Sequence, residues 1–307
     1  MKTYHANGKL LLTGEYLVLK GALALALPTK RGQSLEVKTW EEHGTFIQWN
    51  AYQPLGSWFA ATLDPSTLEI VSTDDKTKAQ RLVEILKAVR NLNPEAFHPG
   101  LQFITHMNFD PGWGLGSSST LIANLAQWAG VDPYELLKMT FGGSGYDIAC
   151  ATAQSPIFYN LIGNQPQMSP ANFNPPFAEH LFFVYQGQKQ QSGKEVKSFN
   201  QRMQEYDYLD DVDAVSAISE AMPNITTLND FRRFMDVHED ILAHCLDREP
   251  VKTQYPDFEG SLKSLGAWGG DFLLAATEMS WDEVWAYFRS KGFNPLNPIF
   301  RYQDLIL

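Results

Sequence analysis

An α+β fold is what this sequence predicts, and three observations carry that expectation. Apolar runs of strand length and segments of helical period follow one another without strict alternation, which argues against a doubly wound sheet. A stretch crowded with Pro, Asn and Gln over residues 164–176 reads as a connection between two lobes, 1–170 and 171–307. A hydrophobic content of 44% with 19% charged residues describes a globular chain, and 307 residues suffice for two cores.

Taken in order, residues 9–13 and 16–27 read as buried strands, 35–39 and 46–49 as partly exposed ones, and 76–92 as an amphipathic helix. Residues 101–107 form a further strand that delivers the chain into a glycine-rich turn. Behind that turn, Leu121, Ile122, Leu125, Ala126 and Ala129 share one helix face and Gly130 closes it. Asp132 caps the next helix, with Pro133 at its first position and Glu135 as the reciprocal box residue. Gly142 and Gly143 break it before Ser144, Gly145, Tyr146 and Asp147 open another apolar helix. Past the connection come a strand at 180–185, helices at 195–222 and 227–247, the second capped by Thr227, then a strand, glycine loop and strand over 261–277. A helix at 281–291 and a last strand at 299–307 end the chain.

Charge and cysteine usage narrow the function. A formal net charge of −11 opposes nonspecific nucleic-acid binding, which needs a basic surface to release counterions. Cys150 and Cys245 sit in apolar periodic segments and read as buried thiols of a reducing compartment. The apolar runs near the N-terminus are interrupted by Gly14, Glu15 and Lys20, so neither a signal peptide nor a membrane span fits. The expectation is a cytoplasmic protein, monomer or homodimer, without nucleic acid or membrane.

The stretch Asp110-Pro111-Gly112-Trp113-Gly114-Leu115-Gly116-Ser117-Ser118-Ser119-Thr120 packs three glycines and four hydroxyl side chains ahead of a helix. Glycines admit positive φ and bring backbone N–H groups close to an anion, and a helix N-terminus adds unpaired donors and a favourable dipole. The serines can cap the helix, bond phosphate oxygens or ligate Mg²⁺; an ordinary Ser-capped turn is the plain alternative. As a dinucleotide fingerprint the turn fails, because serine replaces the third glycine. As a P-loop it lacks the closing Lys-Ser/Thr pair. A protein kinase is excluded by the absence of H-R-D and D-F-G, Asp271-Phe272 running on into Leu273. His238 and His244 are six apart, on different helix faces, and read as structural or solvent-facing.

Three segments together resemble the GHMP kinases, the superfamily of galactokinase, homoserine kinase, mevalonate kinase and phosphomevalonate kinase. Asn7-Gly8-Lys9-Leu10-Leu11-Leu12-Thr13-Gly14-Glu15-Tyr16 resembles the first motif, the glycine–serine turn the second (P-x-x-x-G-L-G-S-S-A), and Lys263-Ser264-Leu265-Gly266-Ala267-Trp268-Gly269-Gly270-Asp271 the third (K-x-S-G-A-G-G-G-D). Gly14-Glu15-Tyr16 looks like phosphomevalonate kinases, and Ser144-Gly145-Tyr146-Asp147 like the segment carrying the active-site aspartate of the mevalonate branch. More loosely, residues 187–197 resemble a loop of the C-terminal lobe of phosphomevalonate kinases.

The resemblance implies a two-lobed fold, the N-terminal lobe like ribosomal protein S5 domain 2 and the C-terminal lobe ferredoxin-like. It implies ATP and Mg²⁺ as cofactors and transfer of the γ-phosphoryl to mevalonate or phosphomevalonate. Gly112, Gly114, Leu115, Gly116, Ser117, Ser118 and Ser119 would hold the triphosphate, with Ser118 on the metal. Lys9 and Asp147 would act at the transferred phosphoryl and the acceptor oxygen, while Glu15, Tyr16, Ser144, Gly145, Gly266, Ala267, Trp268 and Gly269 would line the acceptor. Each has a structural alternative: Asp147 a capping box with Ser144, Lys9 a solvated strand end, Glu15 a turn, Tyr16 core packing, the third motif a hairpin.

The pattern also departs from the family. Asn7 stands for proline, Ser119 for alanine, Leu265 for a motif serine and Trp268 for glycine, and no counterpart of the acidic metal ligand precedes Ser144. An indole in that loop either reshapes it or fills part of the pocket. A nucleotide-binding regulator without chemistry, or an enzyme like diphosphomevalonate decarboxylase, is therefore an alternative to the kinase.

Overall fold

A computed structural model describes residues 1–39, 44–187, 192–204, 206–266, 268 and 270–307, with the side chains of 192–194 left out. Its two units are not successive halves of the chain. Met1–Gly8, Arg31–Pro111 and Leu115–Thr152 form the first, and Lys9–Lys30, Gly112–Gly114 and Ala153–Leu307 the second. They differ from a division at 170 because the first two strands each run on from one unit into the other.

In the first unit, β1 (Lys2–Thr13, to Gly8 here) and β2 (Ala24–Thr39, from Arg31) precede β3 (Ile47–Gln53), β4 (Gly56–Leu63), β5 (Ile70–Thr73) and α1 (Lys76–Leu92). β6 (Leu101–Met107), α2 (Ser117–Ala129), α3 (Pro133–Thr140) and α4 (Tyr146–Thr152) follow. The strands lie in the order β5-β4-β3-β6-β2, β3 parallel to β6 and the other pairs antiparallel. Alternation sets the buried face: Ile47, Trp49 and Ala51 of β3 point into the core beside Leu101 and Phe103 of β6. Leu82, Ile85, Leu86 and Val89 of α1 and Ile122 and Leu125 of α2 close over them, each full burial contributing about 1.5–3 kcal/mol. At Gly32 of β2 a Cβ would lie 2.4 Å from the Ala6 carbonyl oxygen, so β1 can approach only a glycine.

α1 starts at Asp75, whose carboxylate accepts the Lys78 N–H, and α3 starts at Asp132, which accepts from Tyr134 and Glu135 N–H groups. α2 is fixed in rotation on β2. Thr120 Oγ1 donates to Gln33 Oε1 at 2.8 Å and Asn124 Nδ2 to the Gln33 carbonyl at 2.9 Å, all buried.

In the second unit the expected strand at 16–27 is replaced. The chain turns sharply at Tyr16, makes a 3₁₀ turn over Leu17–Lys20, reverses at Gly21 and only then enters β2. The start of β2 pairs with β7 (Ile157–Ile162), and β7 with β8 (Gln165–Pro170). Half of the Pro-rich stretch read as a connection is thus an edge strand, the sheet position that tolerates Pro166 and Pro170.

Next come β9 (Leu181–Tyr185), α5 (Ser192–Arg202), α6 (Leu209–Ala221), α7 (Leu228–Leu246), β10 (Ser261–Leu265), β11 (Phe272–Ala276), α8 (Trp281–Ser290), β12 (Ile299–Arg301) and α9 (Tyr302–Leu305). The helix expected at 195–222 is two helices, and the last strand shortens to β12 with α9 behind it. Thr227 accepts the Asp230 N–H to start α7, and a full capping box of Ser280 and Glu283 starts α8.

β10-β11-β9-β12 form an antiparallel sheet whose Phe182, Val184, Leu262 and Leu273 pack on Val284 and Phe288 of α8. A second apolar cluster joins Tyr16 and Leu17 to Phe199 of α5, Met203 just behind it, Val215 of α6, Leu242 and Cys245 of α7, and Trp268. Cys150 and Cys245 are buried and form no disulfide. Among the described residues no helix is long and apolar enough to cross a membrane.

Candidate active site

In the first unit, Gly116 is the N-cap of α2 at φ 92°, and no side chain caps the helix. The first-turn N–H groups of Ser117, Ser118 and Ser119 are therefore not consumed by a cap and sit at the positive end of a 13-residue helix. The serines differ in availability. Ser118 is exposed and Ser117 half-buried, whereas Ser119 is buried with its hydroxyl donated back to the Gly116 carbonyl at 3.0 Å. Leu115 is fully buried and anchors the turn.

Ser144 and Gly145 lead into α4, and Asp147 lies in its first turn, half-buried, with Oδ1 accepting its neighbour Ile148's N–H at 3.1 Å. α4 and α2 are neighbours through alanine: Ala151 and Ala123 share a buried cluster with Ala6. Small residues let the two backbones approach closely. Tyr134 is pushed up to about 12, by burial first and by the Asp147 charge second.

In the second unit, the front of the glycine turn is anchored to the sheet. Tyr185 hydroxyl donates to the Gly112 carbonyl at 2.9 Å, and the Trp113 ring lies 5.4 Å from Phe300 and 6.4 Å from Tyr185. The Asp271 carboxylate packs on Gly114 so closely that a Cβ there would fall 2.3 Å from Asp271 Cγ, and it also touches Gly266. Gly114 and Gly266 have φ 71° and 81°. Glycine is needed at both for conformation and for space. Gln186 holds the far end of the third motif, its Nε2 donating to the Gly270 carbonyl and its N–H to the Asp271 carbonyl, both at 2.9 Å.

The first motif ends in a strained turn. Tyr16 has φ 63° and ψ −50°, and Leu17 N–H donates to the Glu15 carbonyl at 2.7 Å, the geometry of a γ-turn with positive φ. Such a conformation costs about 1–3 kcal/mol and persists only where its surroundings enforce it. Here several contacts do so. Val18 N–H donates to the Gly14 carbonyl at 2.9 Å, Gly14 N–H to His238 Nε2 at 2.9 Å, and Trp268 N–H to the Tyr16 hydroxyl at 2.8 Å.

The turn drives the Glu15 carboxylate into the interior, where it pairs with the Lys263 ammonium; the side chains are 4% and 1% exposed. Lys263 Nζ donates also to the Ser264 carbonyl at 2.9 Å. Burial raises Glu15 above the usual carboxylate range while Lys263 opposes it, and Lys9 acts on it more weakly. His238 Nε2 lies 3.6 Å from Glu15 Oε2, a pair only for a protonated ring. That nitrogen's lone pair is taken by Gly14 N–H, and burial lowers the ring well below its ordinary range, so the ring is neutral with its proton on Nδ1. Glu239, beside it on α7, accepts the Ser264 N–H at 3.2 Å on both oxygens and the Val251 N–H at 3.4 Å, and burial pushes it up to about 7.

In the second unit Tyr16 meets Trp268 and Glu15 meets Lys263, while Ser144, Gly145 and Asp147 share the first unit with the serines of α2. Glu15 is more than a turn residue, since it bonds the lysine that opens the third motif. Tyr16 is core: its ring packs in the apolar cluster and its hydroxyl, pushed up to about 12 by burial, serves Trp268. Trp268 is 6% exposed in the same cluster, so the indole is folded inward. Lys9 is half-buried on β1. Ala267 and Gly269 lie outside the described residues, as do 188–191 of the loop resembling phosphomevalonate kinases. His238 is the structural of the two alternatives read for it, buried and bonded; its backbone partner, and the roles of Glu239, Tyr185 and Gln186, escaped sequence reasoning. Each acts on backbone far away in the chain, and only a lone buried polar residue on an apolar helix face hinted at two of them.

Among the described residues no three His, Cys, Asp or Glu side chains gather as a metal site. Mg²⁺ is usually bound by one or two protein carboxylates plus substrate phosphates, and at the bare helix terminus the exposed Ser118 hydroxyl would supply one neutral oxygen to such a set.

The fold is the two-lobed one that solved kinases of the GHMP type share. No protein-family model matches the chain, and no curated protein sequence is similar to it. Solved structures are similar over nearly their whole lengths. Phosphomevalonate kinase of Streptococcus pneumoniae, in complex with phosphomevalonate and AMPPNP, is 16% identical with a TM-score of 0.70, covering 98% of this chain and 100% of that one. Mevalonate kinase of L. major, in complex with R-mevalonate, is 17% identical with a TM-score of 0.67, covering 98% and 95%. Lactococcus lactis galactokinase, complexed with galactose, is 13% identical with a TM-score of 0.65, covering 97% and 92%.

Proposed function

We propose that this protein is an ATP-dependent small-molecule kinase that transfers the γ-phosphoryl of ATP to mevalonate or phosphomevalonate. The observation that carries the reading is the glycine-capped α2 terminus, whose first-turn N–H groups no side chain caps. Such a terminus cradles phosphate through backbone donors and the helix dipole. Ser117 and Ser118 add hydroxyls, and Ser118 would hold Mg²⁺, which neutralises charge on the phosphates when bound. Ser119 supports the turn from within, its hydroxyl being spent on Gly116.

In this reading Lys9 offsets charge building on the transferred phosphoryl and Asp147 orients the acceptor oxygen. Catalysis then rests on positioning and electrostatic stabilisation, as expected for a loose phosphoryl-transfer transition state. Glu15 and Lys263 shape the acceptor side from within, as a buried pair that holds the first and third motifs together. The fold shared with kinases solved with mevalonate and phosphomevalonate supports the choice of acceptor.

An ADP-release screen over mevalonate, phosphomevalonate, homoserine and sugars, with wild type and Asp147→Ala, tests the proposal. Turnover of one acceptor that Asp147→Ala abolishes supports it; no turnover above the ATPase background sinks it for those compounds. With Asp147→Asn, an alcohol acceptor should lose far more than a phosphate acceptor, which needs no base. Trp268 favours a second reading, a nucleotide-binding regulator, because its indole and Tyr16 fill volume beside the first motif. ATP binding without ADP release on any acceptor would favour the regulator, and CO₂ release would mark a decarboxylase.

A further inference from the structure

α7 lies outside every motif, yet two consecutive residues on it bond to the backbone of two of them. His238 accepts from Gly14 N–H at 2.9 Å and Glu239 from Ser264 N–H at 3.2 Å. Lys263, next to Ser264, returns to Glu15, next to Gly14. The contacts close a ring of six residues: Gly14, Glu15, Lys263, Ser264, Glu239 and His238.

We propose that His238 and Glu239 are positioning residues for the acceptor side, holding Gly14-Glu15-Tyr16 and Lys263-Ser264 in register with each other. The assignment rests on the kinase reading, but the ring itself does not. Three features give it physical content. Tyr16 is held at φ 63°, a conformation the chain does not keep without outside restraint, and the Gly14 bond lies immediately before it. His238 and Glu239 are 0% and 2% exposed, polar side chains whose burial costs free energy unless they are bonded, and both accept hydrogen bonds from backbone N–H groups. The Glu15 carboxylate and the Lys263 ammonium have fixed places only if both backbones do.

Neutral His238 is required, since a protonated Nε2 would turn from Gly14 toward Glu15 Oε2, 3.6 Å away. The charged and titratable groups acting around the ring are Glu15 and Lys9 on the first motif, Lys263 on β10 and Glu239 on α7.

Gln at 238 can present Oε1 where the imidazole presents Nε2, and Gln at 239 keeps an acceptor oxygen for Ser264; Leu and Met keep bulk and remove the acceptor. In the full-length protein, with the acceptor found in the ADP-release screen, His238→Leu and Glu239→Met should each raise the acceptor KM about tenfold, the worth of one buried hydrogen bond. The KM for ATP should stay within about twofold. His238→Gln and Glu239→Gln should recover most of the loss, and His244→Leu, on the exposed face of the same helix, should change nothing. Equal losses in the Leu and Gln variants, or equal rises in both KM values, would overturn the assignment. If wild type turns over no acceptor, the kinase reading falls and the ring is judged by amide hydrogen exchange. Faster exchange at Gly14 in His238→Leu but not His238→Gln then supports the ring, and unchanged exchange refutes it.

Discussion

Replacing Glu239 by Gln should make the folded protein more stable at neutral pH, although it removes a carboxyl adjacent in sequence to a histidine that holds the first motif. Glu239 is 2% exposed, and burial pushes its carboxyl up to about 7 from an ordinary 4.5. The sign follows from proton binding. Between those two values the folded chain holds a proton that the unfolded chain has released, so stability falls as pH rises through this window. At about 1.36 kcal/mol per pH decade, ionising Glu239 in place costs the fold about 3 kcal/mol by pH 8. Gln keeps the acceptor for Ser264 and Val251 and does not ionise. Urea unfolding of both proteins from pH 4.5 to 8, followed by tryptophan fluorescence, reads the difference directly. Near pH 4.5 the stabilities should be close, and by pH 8 the Gln variant should lead by about 3 kcal/mol. Asp236 and Glu15, raised by burial, share this sign and His238, lowered, has the opposite one, but all are present in both proteins. A difference that stays constant with pH, or a wild type that gains on the variant, would refute the assignment of a buried, protonated Glu239.

Further outcomes follow from other contacts. Gly114→Ala must accept φ 71° and a Cβ 2.3 Å from Asp271 Cγ, and should lose about 2–5 kcal/mol in denaturant unfolding; Asp271→Gly in that background should return the steric part only. Lys263→Met strands the Glu15 carboxylate in the interior and should cost about 3–5 kcal/mol. The double variant Lys263→Met with Glu15→Leu should cost less than Lys263→Met alone, and additive losses would deny the pair. Trp268→Ala should lose about 3–5 kcal/mol of stability by thermal or urea unfolding, whereas a loss below about 1 kcal/mol would mean that the indole is not packed with Tyr16 and Phe199.

Much was legible because it is local. The helix behind the serine run, its closure at Gly130, the Asp132 and Thr227 caps and the buried thiols depend on residues within a few positions of one another, and all stand in the structure. The strand expected over 16–27 failed because its apolar pattern fits either a strand or a buried 3₁₀ turn. What selects the turn is Tyr16 at positive φ, held by His238 more than 200 positions away. β8 was missed because prolines read as a connection unless the strand is known to be an edge.

The sequence by itself determined the class of fold and the three motif segments, since glycines, hydroxyls and apolar periods act on their own neighbourhood. Only tertiary structure decided what Glu15, Tyr16, Trp268, His238 and Glu239 do. Burial, pairing with Lys263 and the direction of an indole depend on which distant backbone lies within about 3 Å of each polar atom, and no spacing along the chain encodes that distance.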